Sequence, residues 1–245
     1  MDTYKISINP NRSYLLPFVF AGVFFVLAFI YWSVPGLDKS ILTAHNQIFH
    51  NSMLLGFFTF ITDAGIPFSI IICSVLVYFH TGEKDEKGEN INYFLIVVFS
   101  LFIAGIMGDV LKLIVGRERP VVELAGAIES IKTHRTLSFP SGHTAKIMGL
   151  VIPFVTLPFI KIKYLNVYKG IILLTGVIVA YSRIALQAHF LSDVMGGVAV
   201  AFLFFSVSVL LAEKYSKKYG IRKSRNFVII LLCLAFFLAF LEMSL

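Results

Sequence analysis

Apolar residues run along this chain in long blocks, without the alternation of a half-buried strand or the narrow stripe of a soluble helix. Seven blocks have the length of a helix that crosses a hydrocarbon layer, which takes about 20 mostly apolar residues. They are 14–34, 54–80, 91–115, 144–160, 169–187, 190–212 and 226–242. Lipid offers no partner to a backbone amide, so such blocks are helical. The pattern predicts an all-α polytopic membrane helical bundle. With no internal repeat and no low-complexity linker, residues 1–245 read as a single domain. Lys5 and Arg12 precede the first block as they would in a signal peptide. The following "SVPGLDKS" offers no small-x-small cleavage site, so the block reads as an uncleaved first helix.

Composition agrees. The chain is 58% hydrophobic and 14% charged, where a soluble domain is about 45–50% apolar and about 25% charged. A net charge of +7 would suit nucleic acid, but its placement excludes that partner. With the N-terminus inside, most basic residues, among them Lys84, Lys87, Lys161, Lys163 and the 214–225 group, fall on the inner side, as cytoplasmic loops require. Of the remaining cations, on the outer face, all but Lys39 and Arg183 gather between 112 and 146. Residues 36–53 form an outer, partly amphipathic connection able to lie along the interface. Cys73 and Cys233 sit in apolar runs and read as lipid-facing or packed small hydrophobes, giving neither a disulfide nor a metal site.

Three polar groups interrupt the apolar pattern at one predicted depth. They are "KLIVGRERP" at 112–120, "PSGH" at 140–143 and "SRIALQAHFLSD" at 182–193. Lys112, Arg119 and Arg183 are cations at the edge of an apolar medium, where an unpartnered charge is costly and marks a functional candidate. Two guanidiniums and an ammonium suit a phosphate. Gly142 lets backbone approach a ligand, Ser141 caps the helix that follows, and the helix N-terminus attracts an anion. His189 and Asp193 are four residues apart. On a helix they share a face, so the carboxylate fixes the tautomer of the ring and leaves its other nitrogen free to attack. His189 is then the nucleophile, Asp193 its orienter and His143 the general acid. Cations around the histidines would repel a metal ion, so no metal or other cofactor is expected. Asp109 is expected to pair with Lys112, and Asp63 to cap or orient the outer end of the second helix. His45, His50 and His80 read as loop or interface residues, and the 214–225 loop as a face for anionic lipid.

These residues are similar to the signature of the type 2 phosphatidic acid phosphatases, the membrane branch of the superfamily that includes the vanadium haloperoxidases. That signature, K-x6-RP, then PSGH, then SR-x5-H-x3-D, matches Lys112 with Arg119-Pro120, Pro140 to His143, and Ser182-Arg183 with His189 and Asp193. The resemblance implies a six-helix core, a phosphohistidine intermediate without metal, and a phosphorylated membrane lipid as substrate. It also implies an active site on the outer, periplasmic face of the cytoplasmic (inner) membrane. Two features depart from it. The block 226–242 would add a C-terminal transmembrane helix to the six, and Lys146 puts a cation one turn after His143. Lys146, His134 and Arg135 could touch a headgroup.

Candidate substrates are the 1-phosphate of lipid A, undecaprenyl diphosphate, phosphatidylglycerol phosphate and phosphatidic acid. The long 121–138 connection can meet a large headgroup, which favours lipid A or the isoprenoid diphosphate over a simple glycerolipid. Phosphate transfer to an acceptor other than water uses the same groups. A non-catalytic transporter of anionic headgroups would use the cations too, but it gives no reason for two histidines in distinct surroundings and expects paired interrupted helices.

Overall fold

The computed structural model describes residues 15–45, 51–80, 89–120, 137–159 and 162–219. Among these it holds seven helices: α1 (Leu15–Ser33), α2 (Leu37–Ala44), α3 (Ser52–His80), α4 (Glu89–Val115), α5 (Gly142–Thr156), α6 (Leu165–Ala185) and α7 (Leu191–Tyr219). Five of them, all but α2 and α5, are long and apolar enough to cross a membrane. Their outward faces are mainly apolar. Leu15, Phe29, Phe60, Ile114 and Leu174 are all more than three-fifths exposed, which suits hydrocarbon and not water.

The expected blocks 14–34, 54–80, 91–115, 169–187 and 190–212 appear with shifted ends. The fourth, expected at 144–160, is the 15-residue α5, which stops at Thr156. Leu157 there turns to extended backbone, and the Nζ of Lys169 bonds the carbonyls of Val155 and Leu157 at 2.7 and 2.8 Å. A lysine thus satisfies carbonyls that a longer helix would have used itself. The block 226–242, residues 121–136 with His134 and Arg135, and His50 and Cys233 lie outside the described residues; so does the side chain of His80. Of the two settings expected for Cys73, lipid-facing or packed, it takes the second, fully buried in the apolar core.

α5 is the axis of the bundle. It packs against α3, α4, α6 and α7, and its buried face runs from Thr144 to Phe154. α1 lies along α7 on the outside, with Phe20 and Phe24 stacked on Phe202. The connection expected at 36–53 is described at 36–45 and 51–53. Its helix α2 docks on α1 and α7 and buries Asp38 and Leu42. The ends that carry chemistry, the C-termini of α4 and α6 and the N-termini of α5 and α7, meet at one end of the bundle.

Candidate active site

Lys112 stands in the last turn of α4, buried, and pairs with Asp109 at 3.0 Å as expected. Lys146 approaches the other oxygen of Asp109 at 3.9 Å. Gly116, at φ 67°, ends α4 by donating its amide to the carbonyl of Lys112, a left-handed cap that favours glycine. The chain then doubles back. Glu118 bridges Leu137 in antiparallel fashion, and the Ser138 amide donates to the Arg117 carbonyl at 2.7 Å. This short pairing fastens the first motif to the second.

The Phe139–Pro140 peptide is cis, and α5 starts directly after it. The Ser141 oxygen accepts from the Thr144 amide at 3.5 Å and from the Thr144 hydroxyl at 3.0 Å, so Ser141 is the predicted N-cap. The Ser141 amide donates to the carbonyl of Asp193 at 2.9 Å, which ties the turn to α7. The amides of Gly142 and His143 stand in the first turn of α5 and form the positive end of its helix dipole. His143 is half-buried and lies in electrostatic range of Arg183, Lys146, His189 and Lys112.

The third motif closes α6. Ser182 shares a hydrogen bond with Thr62 of α3 at 2.5 Å and donates to the Val179 carbonyl. The Arg183 carbonyl accepts the amides of Ala188 and His189 at 3.0 and 3.1 Å, across a turn with Gln187 at φ 52°. The Arg183 side chain is buried, and its Nε finds no acceptor among the described residues. A buried guanidinium donor left open in this way suits an anionic partner. Asp63 lies in electrostatic range of the same arginine. Of the two roles expected for it, capping or orienting a helix end, capping is ruled out, because α3 begins at Ser52 and Asp63 is three turns inside it.

His189 and Asp193 do come together, but not on one helix face. α7 begins only at Leu191, so His189 sits in the loop before it. Its Nδ1 is 3.6 Å from Asp193 Oδ2, which is beyond hydrogen-bond reach. Ser138 completes the link: its hydroxyl donates to Asp193 Oδ2, and its oxygen lies 3.3 Å from His189 Nδ1. With the serine proton committed to the carboxylate, Nδ1 is the donor and Nε2 is left unprotonated. The same Asp193 oxygen accepts the Phe190 amide at 2.8 Å, which fixes the loop against the helix start. Burial first, then the cations Arg183, Arg119 and Lys112, hold the His189 imidazole well below its ordinary pKa.

Sequence reasoning missed Ser138, and it missed Arg117 as anything beyond one more outer cation. Arg117 Nη1 donates to Asp193 Oδ1 at 2.8 Å and to Ser192 at 2.5 Å, and its Nη2 pairs with Asp38 at 3.0 Å. Ser192 in turn donates both its amide, at 3.1 Å, and its hydroxyl to Asp38. His45 proves local: its Nδ1 contacts the Ile41 carbonyl, and its ring meets Tyr181 edge-on.

A helical membrane bundle with cations, a helix N-terminus and two histidines at one end defines a multi-pass protein equipped for an anionic group. The chain belongs to the PAP2 superfamily, whose family model matches residues 93–217. Its fold is similar to the crystal structure of the first transmembrane PAP2-type phosphatidylglycerolphosphate phosphatase from Bacillus subtilis. That similarity has a TM-score of 0.56 at 21% identity and covers 84% of this chain and 98% of the other. No curated protein sequence matches the chain. Family and fold together support a membrane phosphatase.

Proposed function

We propose that the protein removes phosphate from a phosphorylated membrane lipid through a phosphohistidine. The observation that supports this most directly is the His189–Ser138–Asp193 arrangement, which turns Nδ1 toward the protein and leaves Nε2 for a substrate. In the first step Nε2 attacks phosphorus, an N–P bond forms and the P–O bond to the lipid breaks. His143 gives its proton to the leaving lipid oxygen. In the second step His143 takes a proton from water, the water oxygen bonds to phosphorus, and the N–P bond breaks to free phosphate. Lys112, Arg119 and Arg183, with Ser141, Gly142 and the α5 N-terminus, hold the phosphoryl oxygens as charge builds on them. The positive surroundings suit an anion better than a metal ion, and no step asks for one.

The basic inner connections support a cytoplasmic N-terminus, with the site opening on the outer face of the cytoplasmic membrane. The substrate is an envelope lipid. Lipid A 1-phosphate and undecaprenyl diphosphate come first, on the length of the 121–138 connection, followed by phosphatidylglycerol phosphate and phosphatidic acid. The test is phosphate release from each of these four lipids by purified protein in detergent, with His189→Ala beside the wild type. Release from at least one lipid, lost in the variant, is expected. No release from any of the four would overturn the reading.

A further inference from the structure

Arg117 lies two residues before Arg119, yet its side chain is spent wholly on protein. One guanidinium nitrogen serves Asp193 Oδ1 and Ser192, and the other serves Asp38. The rings of Phe190 and Trp32 stand over it at 4.2 and 4.7 Å from their centroids. Asp193 itself is fully buried, and its two oxygens are divided. Oδ1 goes to Arg117; Oδ2 goes to Ser138 and the Phe190 amide, on the side of His189. A buried carboxylate is tolerable only when paired, and a guanidinium whose two nitrogens are shared between Asp193 and Asp38 has its place beside Asp193 fixed from both sides. Asp38 holds the other half of the fork, and it arrives from α2, outside the three motifs.

We propose that Arg117, backed by Asp38, is a positioning residue for the histidine chemistry. It sets the rotamer of Asp193, and through Ser138 it keeps His189 Nδ1 protonated and Nε2 aimed at phosphorus. This rests on the phosphohistidine reading above. It makes the short outer helix α2 a working part of the site, since Asp38 is that helix's contribution.

Wild type, Arg117→Gln, Arg117→Lys, Arg117→Ala and Asp38→Asn are assayed for phosphate release, with thermal midpoints measured on the same samples. Arg117→Gln is expected to lower kcat by about 10–100-fold, the range typical when the partner orienting a working histidine is lost. KM should stay within about twofold, since Arg117 makes no substrate contact. Arg117→Lys, which keeps the charge without the fork, should recover part of the loss. A surface cavity lined by Trp32, Asp38, Lys39, Arg117 and Phe190 adjoins the guanidinium. Guanidinium ion should therefore rescue Arg117→Ala where equal sodium chloride does not.

A lowered thermal midpoint with unchanged kcat in the folded protein would reduce the cluster to a fastening for α2 and overturn the proposal. So would a raised KM at constant kcat, which would make Arg117 a substrate ligand. Should Arg117→Gln fail to fold, Asp38→Asn carries the same expectation in weaker form. Nitrogen-15 NMR of histidine-labelled protein in lipid nanodiscs, with His189→Asn to assign the signal, decides the matter without turnover. A single Nδ1-protonated tautomer is expected in the wild type and a mixture in Arg117→Gln; identical spectra would end the proposal. If the wild type releases no phosphate, the function reading falls while this measurement still stands.

Discussion

A Cβ placed on Gly142 would stand 2.9 Å from the Nζ of Lys112 and 3.3 Å from Asp109 Oδ1. The glycine of the second motif is therefore the space into which the lysine of the first motif fits. Gly142→Ala should push the ammonium aside without unfolding the bundle, at an overpacking cost of about 1–3 kcal/mol. The expected result is a KM raised by about tenfold, or 1.4 kcal/mol, with the thermal midpoint lowered by a few degrees. An unchanged KM would mean that Lys112 takes no part in holding substrate.

Ser138 carries the link between His189 and Asp193, because the direct distance of 3.6 Å is too long for a hydrogen bond. Ser138→Ala should lower kcat by about tenfold or more while KM holds. Ser138→Thr, which keeps the hydroxyl, should do better than alanine. Equal losses in the two variants would point to packing and not to the hydroxyl.

His189→Ala should leave a folded, inactive protein, since loss of the attacking atom costs more than the roughly 10²–10⁴-fold typical of one acid–base group. The pH profile adds a sign. Burial and three nearby cations lower the His189 pKa, so the ring is neutral at pH 7 and stays neutral as the pH falls past the ordinary imidazole range. The acid limb of kcat/KM assigned to this residue should therefore lie below pH about 6.5. A limb at or above that value, lost in a His189 variant, would contradict the assignment.

Dialysis against EDTA should leave activity unchanged, and vanadate should inhibit by taking the five-coordinate geometry of the transferring phosphoryl group. Activity lost on chelation and restored by a divalent cation would require a different mechanism.

Lys146 reaches Asp109 at 3.9 Å and stands one turn below His143, in electrostatic range of it. Lys146→Met removes the charge and keeps much of the stem. For a lipid with a second phosphate, KM should rise by about tenfold, and less for phosphatidic acid. Equal effects on both lipids would leave Lys146 a purely structural partner of Asp109.

The sequence made the bundle legible because lipid imposes a simple rule, long apolar blocks that must be helices. It made the three motifs legible because each is local. What it hid was long-range or depended on where a helix starts. Arg117 and Asp38 are 79 residues apart, and no period or spacing links them. Ser138 stands one residue before a motif and looks like ordinary loop. The four-residue step from His189 to Asp193 suggests a shared helix, but α7 opens between them, and the pair meets through a loop and a serine instead. Asp63 suggested a cap, yet α3 continues through it and through Pro67. A proline inside a packed helix is tolerated where neighbouring helices satisfy the freed carbonyl.

The short α5 has a consequence for reach. Fifteen residues rise about 22 Å, against about 30 Å of hydrocarbon. On the proposed orientation, Lys169 finishes the inner end of α5 near the cytoplasmic boundary. His143, at the other end, then sits some 8 Å below the outer rim. The phosphate must sink to meet it, dragging its lipid slightly inward. A phosphate joined close to the chains makes that descent at little strain, so among the proposed substrates depth ranks the isoprenoid diphosphate ahead of lipid A 1-phosphate, whose sugar has to tilt into the well. Depth, as much as charge, would then sort the lipids this protein can serve.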